Sequence, residues 1–311
     1  MRQLWQIVFF ILLGSSMLHS QRSIAYLNSP VRPINEEMVI TDNLITLSFK
    51  LERGMIYLEG VIDGQSGDFI LDTGAPGLVI NEIPKDITDD YQAQSCSQGV
   101  VVGVKPVKKF SWANRTIRNI EAITLDLSHL DKLHDADVEG MIGYELLKNN
   151  TLFIDYQRNQ LLLLKNRMNV ALAAPSARIP FELYDHLPVI EVVIAGKSFR
   201  LGIDTGAATN LLDRACAIHL ASTLQQRPTE EIQGLDQGIQ KVEAAYLEGV
   251  KAGSFEFSSK FLFLDLSHLN MDEESSLDGL LGYQFLSNYR VAIDYPNQEI
   301  LLWPLAEQAL R

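Results

Sequence analysis

The chain has 311 residues, of which 47% are hydrophobic, so it can fill one large core or two modest ones. Its formal net charge is −13, with a sequence pI near 4.9. That balance excludes the basic footprint a nucleic acid or an anionic membrane surface requires, and neither is expected as a partner.

Residues 1–20 carry Arg2, an apolar run from Leu4 to Leu13, and then small and polar residues. This is the order of a secretory signal with a cut just before Gln21, and the run of about ten residues is too short for a spanning helix of about twenty. The expected location is secreted or periplasmic, with a membrane anchor as the alternative if the segment stays uncleaved. Residues 21–45, with Pro30 and Pro33, read as a polar leader or propeptide.

From Thr46 the pattern becomes short strands. Leu47, Phe49 and Leu51 alternate, Ile56 to Ile62 follows, Asp63-Gly64 turns, and a strand runs into Phe69-Ile-Leu-Asp-Thr-Gly-Ala75. The second half repeats this without a gap: Ile179, Phe181 and Leu183, then Val189 to Ile194, Ala195-Gly196, and Leu201-Gly-Ile-Asp-Thr-Gly-Ala207. Each copy places an acid at the end of an apolar strand, in a turn that Gly74 or Gly206 loosens.

Downstream of each comes a second shared element. Gly140-Met-Ile-Gly143-Tyr, then Leu152 to Tyr156, is matched by Gly279-Leu-Leu-Gly282-Tyr, then Val291 to Tyr295. The first motif recurs at an offset of 132 and the second at 139, so the repeat divides the chain into two units. The expected organisation is a lobe at 46–165, a linker at 166–178 containing Ala, Pro and Ser, and a lobe at 179–305.

Asp-Thr-Gly-Ala followed by two apolar residues and a glycine, in both halves, resembles the aspartic proteases, and more closely their retropepsin-like branch. The resemblance implies a mainly β fold of two acid-protease lobes with the active site between them. It implies an aspartic endopeptidase in which Asp72 and Asp204 share a site, one ionised to take a proton from water and one protonated to donate to the scissile carbonyl. Like charges about 3 Å apart cannot both ionise, and the resembled family is itself the standard instance of this effect. Thr73 and Thr205 would hydrogen-bond across the two loops, and Gly74 and Gly206 would let backbone amides approach the carboxylates. The alternative is a non-enzymatic peptide-binding module that kept the fold.

The resemblance also places a substrate-covering flap between the two motifs of each half, with Gly99 and Gly103, and Gly234 and Gly238, suited to hairpin tips. Pepsin-like enzymes carry Ser or Thr where Ala75 and Ala207 stand, and a hydroxyl there favours the charged carboxylate. Alanine cannot supply it, so the expected working range is mildly acidic.

Other features take plainer readings. Asp213 to Gln226 is a helix candidate, capped by Asp213 and ended by Pro228. The pentapeptide Asp-Leu-Ser-His-Leu occurs at 126–130 and 265–269, and its His129 and His268 read as part of a duplicated turn. Asp155 and Asp294 mark strand ends, and Met141, Ile142, Leu280 and Leu281 read as core. Cys96 and Cys216 could form one disulfide in an oxidising compartment, but they do not occupy equivalent places in the repeats. No metal-ligand spacing, phosphate loop or serine-nucleophile elbow is present. No cofactor is expected, and the partner is a peptide or protein substrate met by a monomer.

Overall fold

The computed structural model describes residues 5–8, 13–14, 44–85, 91–94, 99–131, 138–165, 174–220, 228–233, 239–267 and 276–305. Among these the chain is mainly β, and two six-stranded barrels close. In the first, Met55–Ile62, Gln65–Leu71, Val138–Ile142, Leu78–Asn81, Arg115–Leu125 and Gly103–Trp112 neighbour one another in that order. Phe110↔Ile62 to Trp112↔Gly60 complete the ring. The second runs Leu187–Ile194, Lys197–Ile203, Gly279–Leu281, Asn210–Asp213, Phe255–Leu264 and Ile239–Ala252, and Val193↔Lys251 closes it.

The repeat in the sequence is a repeat in burial. Met55–Ile62 and Leu187–Ile194 bury their residues in the same order, with one exposed side chain at the fifth place, Glu59 and Glu191. The following turns, Asp63-Gly64 and Ala195-Gly196, hold positive φ at both positions, the geometry a two-residue hairpin needs to match strand twist. Inside the first barrel Phe69 and Phe110 meet edge to face at 5.1 Å, both fully buried.

A six-stranded sheet joins the lobes, in the order Ala177–Pro180, Glu299–Pro304, Tyr289–Asp294, Thr151–Asp155, Gln160–Leu164, Leu44–Ser48. Its central pairing is antiparallel and centred on Phe153↔Ala292, residues that are themselves 139 apart. The pseudo-twofold axis therefore passes through this sheet. Strand pairing begins at Leu44 on one side and Ala177 on the other, inside the segments read as leader and linker. Asp155 and Asp294 do end their strands, and Asp155 takes Arg290 from the other lobe at 2.9 Å.

Two expectations are corrected. The helix read from Asp213 begins at Cys216 and is described to Leu220, because Asp213 closes the strand Asn210–Asp213; its Oδ1 accepts the Ala215 N–H as a cap would, and residues 221–226 lie outside the described residues. Gly103 is not at a hairpin tip. It is buried, opens the strand Gly103–Trp112 and pairs with Thr124.

Gly99 does belong to a hairpin, where Gly99–Val100 pairs with Tyr91–Gln94. The matching hairpin of the second lobe pairs Thr229–Gln233 with the start of Ile239–Ala252. Gly234, Gly238, Cys96 and His268 lie outside the described residues. Within the segment read as a signal, Trp5–Val8 pairs with Tyr91–Gln94 and Leu13–Gly14 with Ile232–Gln233, against the two hairpins. Among the described residues no helix is long and apolar enough to cross a membrane.

Candidate active site

Asp72 and Asp204 each stand one residue beyond the end of a barrel strand. The Asp72 N–H donates to the Ile142 carbonyl and the Asp204 N–H to the Leu281 carbonyl, both at 3.0 Å, so the Gly-x-x-Gly strands anchor the loops from below. Gly143 and Gly282 allow this close approach, since a Cβ on either would collide with the carbonyl of Ala75 or Ala207. Those same carbonyls accept the Tyr144 and Tyr283 N–H groups at 2.9 and 2.8 Å. Met141, Ile142, Leu280 and Leu281 are wholly buried, as the sequence suggests.

The loops meet across the lobe boundary through the two threonines. The Thr73 N–H donates to Thr205 Oγ1 and the Thr205 N–H to Thr73 Oγ1, both at 3.0 Å. Each hydroxyl in turn donates to a backbone carbonyl of the opposite strand, Thr73 to Ile203 and Thr205 to Leu71, both at 2.8 Å. All of these groups are buried, so no water competes and each bond is expensive to lose.

This grip brings the two carboxyls together, with oxygens of both lying 3.1 Å from the place of a Cβ on Gly74. Asp72 Oδ1 accepts the Gly74 N–H at 2.7 Å, and Asp204 Oδ1 accepts the Gly206 N–H at 2.8 Å. Both Oδ2 atoms are buried and take no donor from the rest of the protein, which leaves the carboxyls as partners for each other. Burial raises Asp72 to about 6, against the pull of the Gly74 N–H, Asp204 and the Ala75 N–H. Burial, and next the negative charge of Asp72, hold Asp204 well above the ordinary carboxyl range, opposed by the Gly206 and Gly74 N–H groups. One proton shared between two carboxyls is the arrangement this environment favours.

Four tyrosines pack in crossed pairs between the lobes. Tyr144 of the first lobe meets Tyr295 of the second at 5.5 Å, and Tyr156 meets Tyr283 at 5.3 Å. Phe181 backs Tyr295, and Phe49 backs Tyr156. Burial, then the neighbouring tyrosine, then Asp204 push the Tyr156 phenol up, and the same causes with Asp72 added push up Tyr295, so both stay neutral. Sequence reading treated these residues only as followers of Asp155 and Asp294. Their recurrence at the 139-residue offset was the available signal.

In the first lobe the duplicated pentapeptide leads into the one-turn helix Ser128–Asp131, and in the second lobe it is described only to Ser267. Asp126 and Asp265 each accept the N–H of the serine two residues on, at 3.0 Å, and the Leu127 and Leu266 N–H groups bond to Asn81 and Asp213. Cys216 is a free, buried thiol, pushed up to about 12 first by burial and then by Asp278 and Asp213. Among the described residues no group of three or more His, Cys, Asp or Glu is placed to hold a metal ion.

Sequence reading missed His186. It lies in the turn before Leu187–Ile194, is almost fully buried, and reaches across the boundary to the Gly74 carbonyl, with Nε2 at 2.7 Å. The repeat offered a signal, since the equivalent place in the first lobe is Gly54.

No curated protein matches the chain. Residues 190–285 match the family model described as aspartyl protease, a span that holds Asp204, Thr205, Gly206 and the Gly279–Gly282 element of the second lobe. The site geometry and this match together support an aspartic protease family for the chain.

Proposed function

We propose that the protein is an exported, single-chain aspartic endopeptidase of retropepsin-like type, in which Asp72 and Asp204 activate water against a peptide bond. The observation that carries this reading is the reciprocal Thr73–Thr205 grip. It fixes two buried carboxyls from different lobes with their Oδ2 atoms free of other protein donors. A carboxyl pair so held keeps one proton over a wide pH range, which supplies a base for water and an acid for the carbonyl oxygen at once. No step needs a metal or cofactor.

Thr73, Gly74, Thr205 and Gly206 act by holding the carboxyls, and the hairpins at 91–100 and 229–239 are the flap elements that admit an extended peptide. Export rests on the composition of residues 1–20, and the chain works as a monomer whose two lobes form the pseudo-dimer.

The test is to incubate the purified mature chain with an unbiased peptide mixture, with and without a statine-type transition-state mimic. Cleavage that the mimic blocks supports the reading. Peptide binding without cleavage turns the assignment to a binding module, and the N-terminal sequence of exported protein tests removal of residues 1–20.

A further inference from the structure

We infer that His186 is a positioning residue for the dyad, clamping the Asp72 loop from the opposite lobe on one side of the site only; this rests on the proposed peptidase activity. A backbone carbonyl can only accept, so the 2.7 Å contact requires the proton on His186 Nε2 and leaves Nδ1 bare. Nδ1 is buried without a partner, which a neutral ring tolerates far better than a charged one. Burial pushes the group down to about 4, in keeping with that tautomer.

The bond is well placed to act on Asp72. The Gly74 carbonyl belongs to the same peptide unit as the Ala75 N–H, which faces Asp72, donates to its backbone carbonyl at 3.2 Å, and favours the charged carboxylate. Gly74 is also the residue whose own N–H holds Asp72 Oδ1. Fixing this carbonyl therefore fixes the plane of the Ala75 N–H, and polarising that peptide unit strengthens it as a donor, while the Gly74 N–H, in the preceding peptide unit, is restrained only through the Gly74 φ and ψ.

Among the described residues no side chain makes the equivalent contact to the Gly206 carbonyl. The repeat maps His186 onto Gly54, which has no side chain and sits at φ +84°. A Cβ there would lie 2.9 Å from the Tyr283 ring, so no side chain at 54 can reach toward Gly206 without displacing that ring. Symmetric threonines hold the two loops together, and one histidine makes them unequal.

The experiment compares His186→Phe, which fills the volume without a donor, with His186→Gln, whose amide nitrogen can replace Nε2. Kinetics are measured per site titrated by a tight-binding statine-type inhibitor, so unfolded protein is not counted. His186→Phe is expected to lower kcat about 10- to 100-fold at nearly unchanged KM, the signature of a misplaced catalytic group, and His186→Gln to recover most of it. Should His186→Phe give no titratable protein, His186→Met makes the same comparison with a more adaptable side chain.

If the donorless variant matches wild type per titrated site, or if His186→Gln is equally impaired, the ring only fills space and the inference fails. A wild-type chain that cleaves nothing overturns the proposed function and this inference with it.

Discussion

The two lobes are alike in most of the contacts they make with each other, His186 apart, and unlike elsewhere. On the axis, the threonine grip, the glycine contacts to each Oδ1, the anchoring of each loop on Ile142 or Leu281 and the crossed tyrosine pairs all occur twice, within about 0.3 Å in every matched bond. Away from it the halves have drifted. The long strand Ile239–Ala252 has 14 residues where Gly103–Trp112 has 10. Asn210 ties the Gly282 N–H to Ser259 and the Lys260 carbonyl, where the first lobe has the apolar Leu78. A group that bonds to its own duplicate cannot change alone without orphaning a buried partner, whereas a group facing solvent or its own barrel can.

The largest test of the shared axis is removal of its carboxyls. Asp72→Asn or Asp204→Asn is expected to reduce turnover by about 10⁴-fold or more, with the double variant losing little beyond either single one, because the pair acts as a unit. Peptide cleavage per folded molecule measures it, and substantial turnover in either single variant would break the assignment.

Next in size is a pair that asks how equal the two loops are. A methyl on Gly206 lies 2.5 Å from Asp72 Cγ, whereas one on Gly74 comes no closer than 3.1 Å to any carboxyl oxygen. Gly206→Ala should therefore abolish activity and lower the melting midpoint, while Gly74→Ala should leave folded protein with reduced activity. Equal damage from the two would show that the loops are more symmetric than these contacts.

The axis was legible in the sequence and the asymmetry was not. Asp-Thr-Gly and Gly-x-x-Gly recur at fixed offsets because each residue in them has a backbone duty, and such duties tolerate few substitutions. His186 escapes because a histidine in a turn matches no motif and is marked only by its mismatch with Gly54 in the repeat, and its partner is a carbonyl that any residue could supply. The helical spacing of Ala215, Ile218 and Leu220 places a helix there, but not its start, because Asp213 is held in a strand by Leu264 and by the Leu266 N–H. Gly103 was misread for a different reason. Glycine suits a hairpin tip, and it equally suits a strand start packed close against a neighbour.

Smaller effects come from pH. The native dyad keeps protons that the unfolded chain releases near 3.8, so its contribution to stability is full below that value and is lost as pH rises through about 6, where Asp72 ionises. His186 works in the opposite direction. The unfolded ring takes a proton below about 6.5 and the native one resists to about 4, so its contribution is present above 6.5 and lost as pH falls toward 4. Between pH 4 and 6 the slopes oppose, with two dyad protons against one on His186, so the wild-type melting midpoint should still fall as pH rises. His186→Gln should fall more steeply than wild type across that window, and the Asp72→Asn, Asp204→Asn double variant should instead rise by on the order of 5 °C. With Asp72 ionising at about 6, the singly protonated dyad fills as pH rises toward that value, so kcat/KM should climb from strongly acid pH to about pH 6. A profile of kcat/KM peaking below about pH 3, where an unperturbed Asp is mostly protonated, would contradict it.

The smallest expected effect is none at all, and it decides whether the two halves compared here belong to one active site. An enzyme with a single Asp-Thr-Gly per chain must dimerise to work and loses specific activity on dilution. Here the connection between the lobes, about a dozen residues, gives an effective concentration on the order of millimolar, far above assay concentrations. The shared sheet then pairs Thr151–Asp155 with Tyr289–Asp294 inside the same molecule. Specific activity should stay constant over a hundredfold dilution, and mixing Asp72→Asn with Asp204→Asn protein should restore nothing. Recovery on mixing would mean that each site draws its two carboxyls from different chains. The Thr73–Thr205 grip would then be an intermolecular bond, and the asymmetry set by His186 would be a property of the dimer.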